Sequence, residues 1–189
     1  IGGYKSSKTV KFKIVGKPIG NGQAYDDYKL VVGDSEADSY IYSGKAISPK
    51  VQLYEGSTLL RKNTDYTVKY TNNVNAGTAT ITVSGKGNYA GTISQSFTIS
   101  PKGKEDAKTI KVSNISNQKY TGKVIVPSIT VKVDGTTLKK GKDYTISVLN
   151  STRLTYEDED GRKGIATVMI TGVGNYKGVL AKKSFIVEE

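Results

Sequence analysis

The chain has 189 residues with no Cys, no His and a formal net charge of +11. The lack of Cys excludes disulfides and thiolate metal sites, and the lack of His removes the commonest general base and transition-metal ligand. No apolar run approaches the roughly 18 residues that a membrane helix needs, so we expect no membrane insertion.

The basic residues are almost all Lys, with Arg only at positions 61, 153 and 162. Nucleic-acid modules usually concentrate positive charge on one element and use Arg for bidentate contacts. Here the Lys residues are dispersed along predicted strand faces, where they discourage edge-to-edge pairing. We therefore predict no nucleic-acid partner.

The chain contains an internal repeat. The segment from Gly77 to Tyr89 returns from Gly164 to Tyr176, 87 positions later, and Tyr42 returns as Tyr120, 78 positions later. Recurrence at a fixed period normally marks one folded unit for each copy. The predicted organisation is a closing strand of a preceding repeat plus a linker (1–20), a first repeat (21–100) and a second repeat (101–189).

The first element in chain order is a strand at residues 10–14, where apolar and Lys residues alternate. It matches the last strand of each repeat, and alone it would expose its apolar side chains. We expect it to pair with a sheet edge, within the chain or in a neighbouring chain. Residues 16–22 are rich in Gly and are predicted to be a linker.

Each repeat then shows short runs with apolar and polar residues in alternation. The predicted strands are 28–32 and 108–112, 50–54 and 128–133, 65–70 and 143–148, 79–83 and 166–170, and 93–99 with its match ending at residue 187. Glu55-Gly56 and Asp134-Gly135 are predicted to be matching hairpin turns, since type I′ turns favour such pairs. Ala79, Ile81 and Val83, with their counterparts in the second repeat, should point into a core.

Six or seven short strands in each repeat, with turn signals between them, predict an all-β fold of two tandem immunoglobulin-like β-sandwich domains. No window has a sustained period of 3.6 residues, so essentially no helix is expected.

Four motifs carry a resemblance to known proteins. They are Tyr-x-Gly-Lys-x-Ile (42–47), Asp-Tyr-Thr-Val (65–68), Asn-Ala-Gly-Thr-Ala (75–79) and Gly-Lys-Gly-Asn-Tyr-x-Gly (85–91). Together they resemble the tandem Ig-like repeats of Gram-positive bacterial surface and secreted proteins. The resemblance implies an extracellular setting at the cell surface or cell wall, and a stalk or spacer role between anchors, adhesin tips or carbohydrate-active domains.

The second repeat has an acidic insertion, Glu157-Asp-Glu-Asp-Gly161. Hard oxygen ligands on a loop suit Ca²⁺, but the run lacks the spacing of an EF-hand and is followed by Arg162 and Lys163. We favour a solvated hairpin tip and predict no metal and no cofactor.

Three residues recur in both repeats and would suit a Lys–Asn or Lys–Asp isopeptide crosslink. The candidates are Lys45, Asp65, Asn88, Lys123, Asp143 and Asn175. The chemistry needs a buried, neutral amine beside a carbonyl carbon. The simpler interpretation, which we favour, is turn chemistry: Lys in a turn, Asp in the turn before a strand, and Asn in a left-handed conformation.

The 13 Tyr residues, with no Trp, are the remaining candidates for binding. Tyr66, Tyr144, Tyr89 and Tyr176 lie at fixed strand and turn positions, where a buried phenol bonded to a backbone carbonyl is ordinary. Low-specificity ligand contacts are therefore assigned to Tyr40, Tyr42 and Tyr120.

Catalysis is not expected, because no His can activate the Ser and Thr residues and no carboxylate pair lies in an identifiable cleft. The first hypothesis is a non-catalytic spacer whose partners are neighbouring repeats of the same chain. The alternative is an adhesion module that binds a glycan or a host protein through exposed Tyr residues or the 150–163 hairpin. A third is chain linkage by the leading strand.

Overall fold

The computed structural model describes residues 15–20, 28–33 and 40–189. In these residues every regular element is a β-strand and no helix forms. The all-β expectation is confirmed there, because apolar side chains that alternate can be buried on one face of a strand but not along one face of a helix. The predicted leading strand at 10–14 lies outside the described residues.

The described residues of the first repeat and its leader form two sheets and one separate strand pair. The strands are β1 (Lys17–Pro18), β2 (Tyr28–Val32), β3 (Tyr40–Ile41), β4 (Val51–Glu55), β5 (Thr58–Leu59), β6 (Tyr66–Thr71), β7 (Gly77–Gly85), β8 (Tyr89–Ala90) and β9 (Thr92–Ser100). The sheet orders are β2-β4-β5 and β3-β9-β7-β6, and β1 pairs in parallel with β8. Part of the predicted linker is therefore a short strand.

The second repeat has the same strand order. Its strands are β10 (Ile110–Val112), β11 (Gln118–Lys119), β12 (Val131–Val133), β13 (Thr136–Thr137), β14 (Tyr144–Leu149), β15 (Tyr156–Asp158), β16 (Gly161–Gly172) and β17 (Val179–Glu188). One sheet runs β10-β12-β13 and the other β11-β17-β16-β14, with β15 paired to β16. The sequence repeat is thus also a repeat of topology.

The chain divides into two compact units that do not coincide with the two repeats. One unit consists of residues within 1–38, 48–71 and 80–97, and the other of residues 39–47, 72–79 and 98–189. The second unit therefore contains the whole second repeat together with two segments of the first.

The core of the second unit joins its two sheets, an arrangement consistent with the β-sandwich class. Val131 and Val133 come from β12, and Ala166, Val168 and Ile170 come from β16; all are almost fully buried in one cluster. Burial of such aliphatic side chains stabilises the fold by ~1.5–3 kcal/mol each, relative to exposure.

The first unit buries residues from both of its sheets in the same way. Val51 and Leu53 of β4 and Ile81 and Val83 of β7 have at most 6% of their surface exposed. The Tyr66 hydroxyl donates a hydrogen bond of 3.1 Å to the carbonyl of Val51. The predicted inward row of β7 is confirmed, because alternate residues of a strand point to the same face.

The two hairpin turns are not the matching pair that the sequence predicts. In the second repeat Asp134 and Gly135 form the turn, with φ of 49° and 83°. In the first, Glu55 pairs with Thr58, so Gly56 and Ser57 form the turn and the predicted Glu55-Gly56 assignment is wrong by one residue. Gly56 has φ of 56°, and a Gly accepts that conformation without the steric cost that Glu55 would bring.

The acidic insertion forms the expected hairpin. Residues 156–158 of β15 pair antiparallel with residues 161–163 at the start of β16, and Gly161 has φ of 107°. The loop before β15 lies against the neighbouring chain: a Cβ on Gly164 would be 2.0 Å from the carbonyl oxygen of Arg153. Only Gly allows this approach.

Candidate functional site

The turn from Gly172 to Tyr176 is the best-defined site among the described residues, and glycine shapes it. Gly174 has φ of 64°, and a Cβ there would lie 3.0 Å from the carbonyl oxygen of Lys142. The amide of Tyr176 donates to the carbonyl of Val173 at 3.1 Å, which closes the turn. The turn therefore presents Asn175 and Tyr176 in a fixed orientation.

Asn175 uses both ends of its side-chain amide within the second unit. Its Oδ1 accepts a hydrogen bond of 2.8 Å from the backbone amide of Ala76, and its Nδ2 donates to Oδ1 of Asn75 at 3.0 Å. The carbonyl of Asn175 also accepts from the amide of Lys102 at 2.9 Å. One side chain thereby joins segments that are 99 and 100 residues apart in sequence.

Tyr176 packs beside these hydrogen bonds. Its ring meets that of Tyr42 edge to face, with 5.6 Å between centroids and 77° between planes, and only 6% of the residue is exposed. Aromatic pairs in this geometry contribute ~0.5–1.5 kcal/mol beyond their buried area. Burial, with smaller contributions from the charges of Tyr42, Asp143 and Asp134, raises the pKa of Tyr176 to about 12.

A Lys–carboxylate pair lies near the same turn. Lys102 Nζ and Asp134 Oδ2 are 2.7 Å apart, and Asp134 Oδ1 accepts from the amides of Lys108 and Thr109. The hydrogen bond from Lys102, followed by that from the Thr109 amide, lowers the pKa of Asp134.

The first repeat has a matching arrangement. Lys17 forms an ion pair with Glu55, and the Tyr89 hydroxyl donates to Glu55 Oε2 at 2.8 Å. These two hydrogen bonds, with the one from Lys17 contributing most, lower the pKa of Glu55, and the hydrogen bond to Glu55 raises the pKa of Tyr89.

Two of the three predicted ligand-contacting tyrosines are engaged in packing. Tyr40 pairs with Ile99 in β3 and is half-buried, and Tyr42 is half-buried against Tyr176. Tyr120 is 37% exposed, and its hydroxyl donates to the carbonyl of Thr152 at 3.5 Å. Of the three, Tyr120 therefore offers the most accessible ring, and it lies beside the inserted loop.

The crosslink candidates show turn geometry. Lys45 and Lys123 are exposed, and their amides accept no burial: each donates to a hydroxyl, that of Ser43 or Thr121. An exposed amine keeps its proton at neutral pH, whereas the crosslink needs a neutral one. The crosslink remains a prediction, which intact-mass measurement tests.

The acidic and amide members of that set also lie in turns. The carboxylates of Asp65 and Asp143 accept hydrogen bonds of 2.7 and 2.8 Å from the amides of Arg61 and Lys139. Asn88 is exposed, and its carbonyl accepts from the amide of Lys17. The expected left-handed conformation at the two Asn residues is wrong.

The residues that do adopt it precede the two Asn residues: Gly87 and Gly174 have φ of 65° and 64°. A residue without a Cβ takes that conformation at the least cost, which leaves each Asn in an ordinary region with its side chain directed by the turn.

The remaining searches for chemistry are negative within the described residues. There, no group of three or more His, Cys, Asp or Glu side chains is placed to hold a metal ion. Within residues 15–20, 28–33 and 40–189 there is also no long apolar helix of the kind that spans a bilayer.

Sequence reasoning identified Asn175 and Tyr176 as recurring residues but missed their partners. Asn75 and Ala76 lie in a motif that reads as an ordinary turn, and nothing in its composition indicates a contact about 100 residues away. No known family model matches the chain, and no curated protein is similar enough to count as a match.

Proposed function

We propose that this chain is a non-catalytic spacer of a bacterial cell-surface or secreted protein, built from two Ig-like repeats at residues 21–100 and 101–189. The observation that carries the proposal is the engagement of Asn175 and Tyr176 with Asn75, Ala76 and Tyr42. A spacer must transmit position from one repeat to the next, and a contact that fixes a turn of one repeat on two loops of the other limits bending between them.

Three kinds of interaction make this contact suited to that role. The two hydrogen bonds of Asn175 are directional and together contribute ~1–3 kcal/mol. The buried edge-to-face ring pair resists rotation. The backbone hydrogen bond between Lys102 and Asn175 additionally ties the inter-repeat segment to the turn.

Backbone amide NMR relaxation of the whole chain tests the proposal. We expect the two repeats of the unmodified chain to tumble with one rotational correlation time, and to tumble separately in a Tyr42→Ala, Asn175→Ala double variant. The matched control is Asn88→Ala, which alters the same motif position in the first repeat. Independent tumbling in the unmodified chain would contradict a spacer that limits bending.

A second candidate is an adhesion module for a glycan or host protein. Its support is the exposed ring of Tyr120 beside Thr152, which brings the tyrosine and insertion candidates together. Binding on a glycan or host-protein array that is lost in Tyr120→Ala, and kept in Tyr54→Ala, would favour it. Silence of the unmodified chain across the array would count against it.

A further inference from the structure

The sheet β11-β17-β16-β14 has a second face, on the side opposite the core. Alternate residues of β16 point to it, since Ala166, Val168 and Ile170 are buried on the core side. Leu149, Ile165, Met169 and Ile186 share this second face, and we name them the β16 outer face. The contact of 3.4 Å between the hydroxyls of Thr167 and Ser184 confirms that neighbouring strands direct these positions to one side.

The members of the β16 outer face are neighbours across the strands. Ile165 lies directly opposite Ile186, and Leu149 lies opposite Thr167, one position diagonal to Ile165. Cβ atoms of opposed residues are ~4.5–5.5 Å apart, so these side chains form one continuous apolar surface. Leu149 is 55% exposed and Ile165 is 54% exposed.

The first repeat shows that the fold does not require apolar residues on this face. At the four matching positions it carries Thr71, Thr78, Thr82 and Thr98. Thr suits an exposed strand surface that faces water. The second repeat has therefore replaced a solvent-compatible surface by one that gains free energy when it is covered.

Charge is distributed unequally between the two ends of the sheet. At the end where β16 begins, the exposed acidic residues of the hairpin and the chain end outnumber Lys119 and Arg162; they are Glu157, Glu159, Asp160, Glu188 and Glu189. At the end where β16 finishes, the exposed charges are basic; they are Lys139, Lys140, Lys142 and Lys182.

We propose that the β16 outer face binds the same face of a second copy of this chain, forming a symmetric dimer. The two-fold axis lies in the interface and runs across β16, between Ile165 and Met169. This axis reverses the strand direction, so it places the acidic end of one copy over the basic end of the other. An axis parallel to β16 would place acid on acid, which like-charge repulsion disfavours.

The second copy is the occupant that satisfies both requirements of this surface. A symmetric interface needs a patch that is complementary to itself, and two apolar sheet faces pack against each other as the layers of a sandwich do. The ordered separation of acidic and basic ends provides the electrostatic part of that complementarity.

The test is sedimentation velocity of the full 189-residue chain over a concentration series up to the millimolar range. The decisive variant carries the residues of the first repeat, Leu149→Thr, Ile165→Thr and Ile186→Thr. We expect the unmodified chain to approach twice its monomer mass, and the variant to raise the dissociation constant by about tenfold or more. Added salt should weaken the dimer, since its charged ends are exposed.

The matched control is Val124→Thr, Val126→Thr, which removes two exposed apolar side chains outside the sheet face. It should leave the dissociation constant unchanged, and circular dichroism should show that both variants are folded. A strictly monomeric unmodified chain, a dimer that survives the three Thr substitutions, or equal dissociation in the control would overturn the proposal.

Discussion

In the first repeat the outward side of β7 carries Thr78, Thr80 and Thr82, whereas the matching positions of β16 carry Ile165, Thr167 and Met169. The inward positions differ far less: Ala79, Ile81 and Val83 match Ala166, Val168 and Ile170, and all six are fully buried. The comparison teaches that the core constrains composition in both repeats, while the outer face is free to differ and so can acquire a role in one repeat alone.

The same comparison applies to the Gly-Asn-Tyr turns. Tyr176 is buried beneath Tyr42, whereas Tyr89 is half-buried and bonded to Glu55. Asn175 bonds to Asn75 and Ala76, whereas Asn88 is exposed. Identical local sequences therefore have different surroundings, and substitutions in the two turns should separate local from tertiary contributions.

The largest difference is expected for truncation of the two Tyr rings. Tyr176→Ala should lower the free energy of unfolding by ~3–5 kcal/mol, because it removes a buried aromatic side chain from the core cluster. Tyr89→Ala should cost less, since half of that environment is solvent. Urea unfolding of both variants measures the difference, and equal losses would mean that the contact with Tyr42 adds nothing.

A smaller difference is expected for the Asn residues. Asn175→Ala should lower the free energy of unfolding by ~1–3 kcal/mol, because it leaves the Ala76 amide and the Asn75 side chain without their partner. Asn88→Ala should change it by no more than ~0.5 kcal/mol, as exposed positions usually do. The same unfolding experiment checks this, and a large loss at Asn88 would show that the Asn acts within the turn itself.

The two phenols should also separate in an alkaline titration. The pKa of Tyr176, about 12 against an ordinary value of 10.0, means that folding favours its protonated form. Its contribution to stability is therefore complete below pH 10 and is lost as the pH rises through about 12. In ultraviolet titration, Tyr176→Phe should remove the last tyrosinate transition, and Tyr89→Phe should leave that transition in place.

The smallest effects are expected for the two carboxylates. The pKa values of Asp134 and Glu55 are lowered in the folded state, so each stabilises the fold above its unfolded pKa and loses that contribution as the pH falls through its folded pKa. Both pairs are accessible to solvent, which screens them. Asp134→Asn and Glu55→Gln should each flatten the decline of the melting temperature at acidic pH. An unchanged acid profile in both variants would show that the ion pairs contribute nothing measurable.

Sequence reasoning succeeded where the information is local. The inward row of β7 follows from alternation, and the Asp65 and Asp143 turns follow from side chains that bond to a backbone amide four residues earlier. It failed where two local solutions are nearly equal. Glu55-Gly56 and Gly56-Ser57 both read as turns, and only the pairing of Glu55 with Thr58 selects the second.

A shared glycine shows the limit most clearly. Gly77 and Gly164 match in sequence, but Gly77 has φ of 131° with open space around it, whereas Gly164 lies against the carbonyl of Arg153. One glycine is retained for backbone conformation and the other for close approach. No local pattern distinguishes these reasons, because the second depends on where the inserted loop folds.

The amino-acid sequence by itself determined the all-β class, the duplication, the buried rows and most turns, because period-two alternation and turn chemistry act over a few residues. Only the tertiary structure decided that Asn175 bonds to a loop about 100 residues earlier, that residues 39–47 and 72–79 join the second compact unit, and that Lys17 pairs with Glu55. Such contacts depend on the packing of distant strands, and a short sequence window carries no record of which distant segment will arrive.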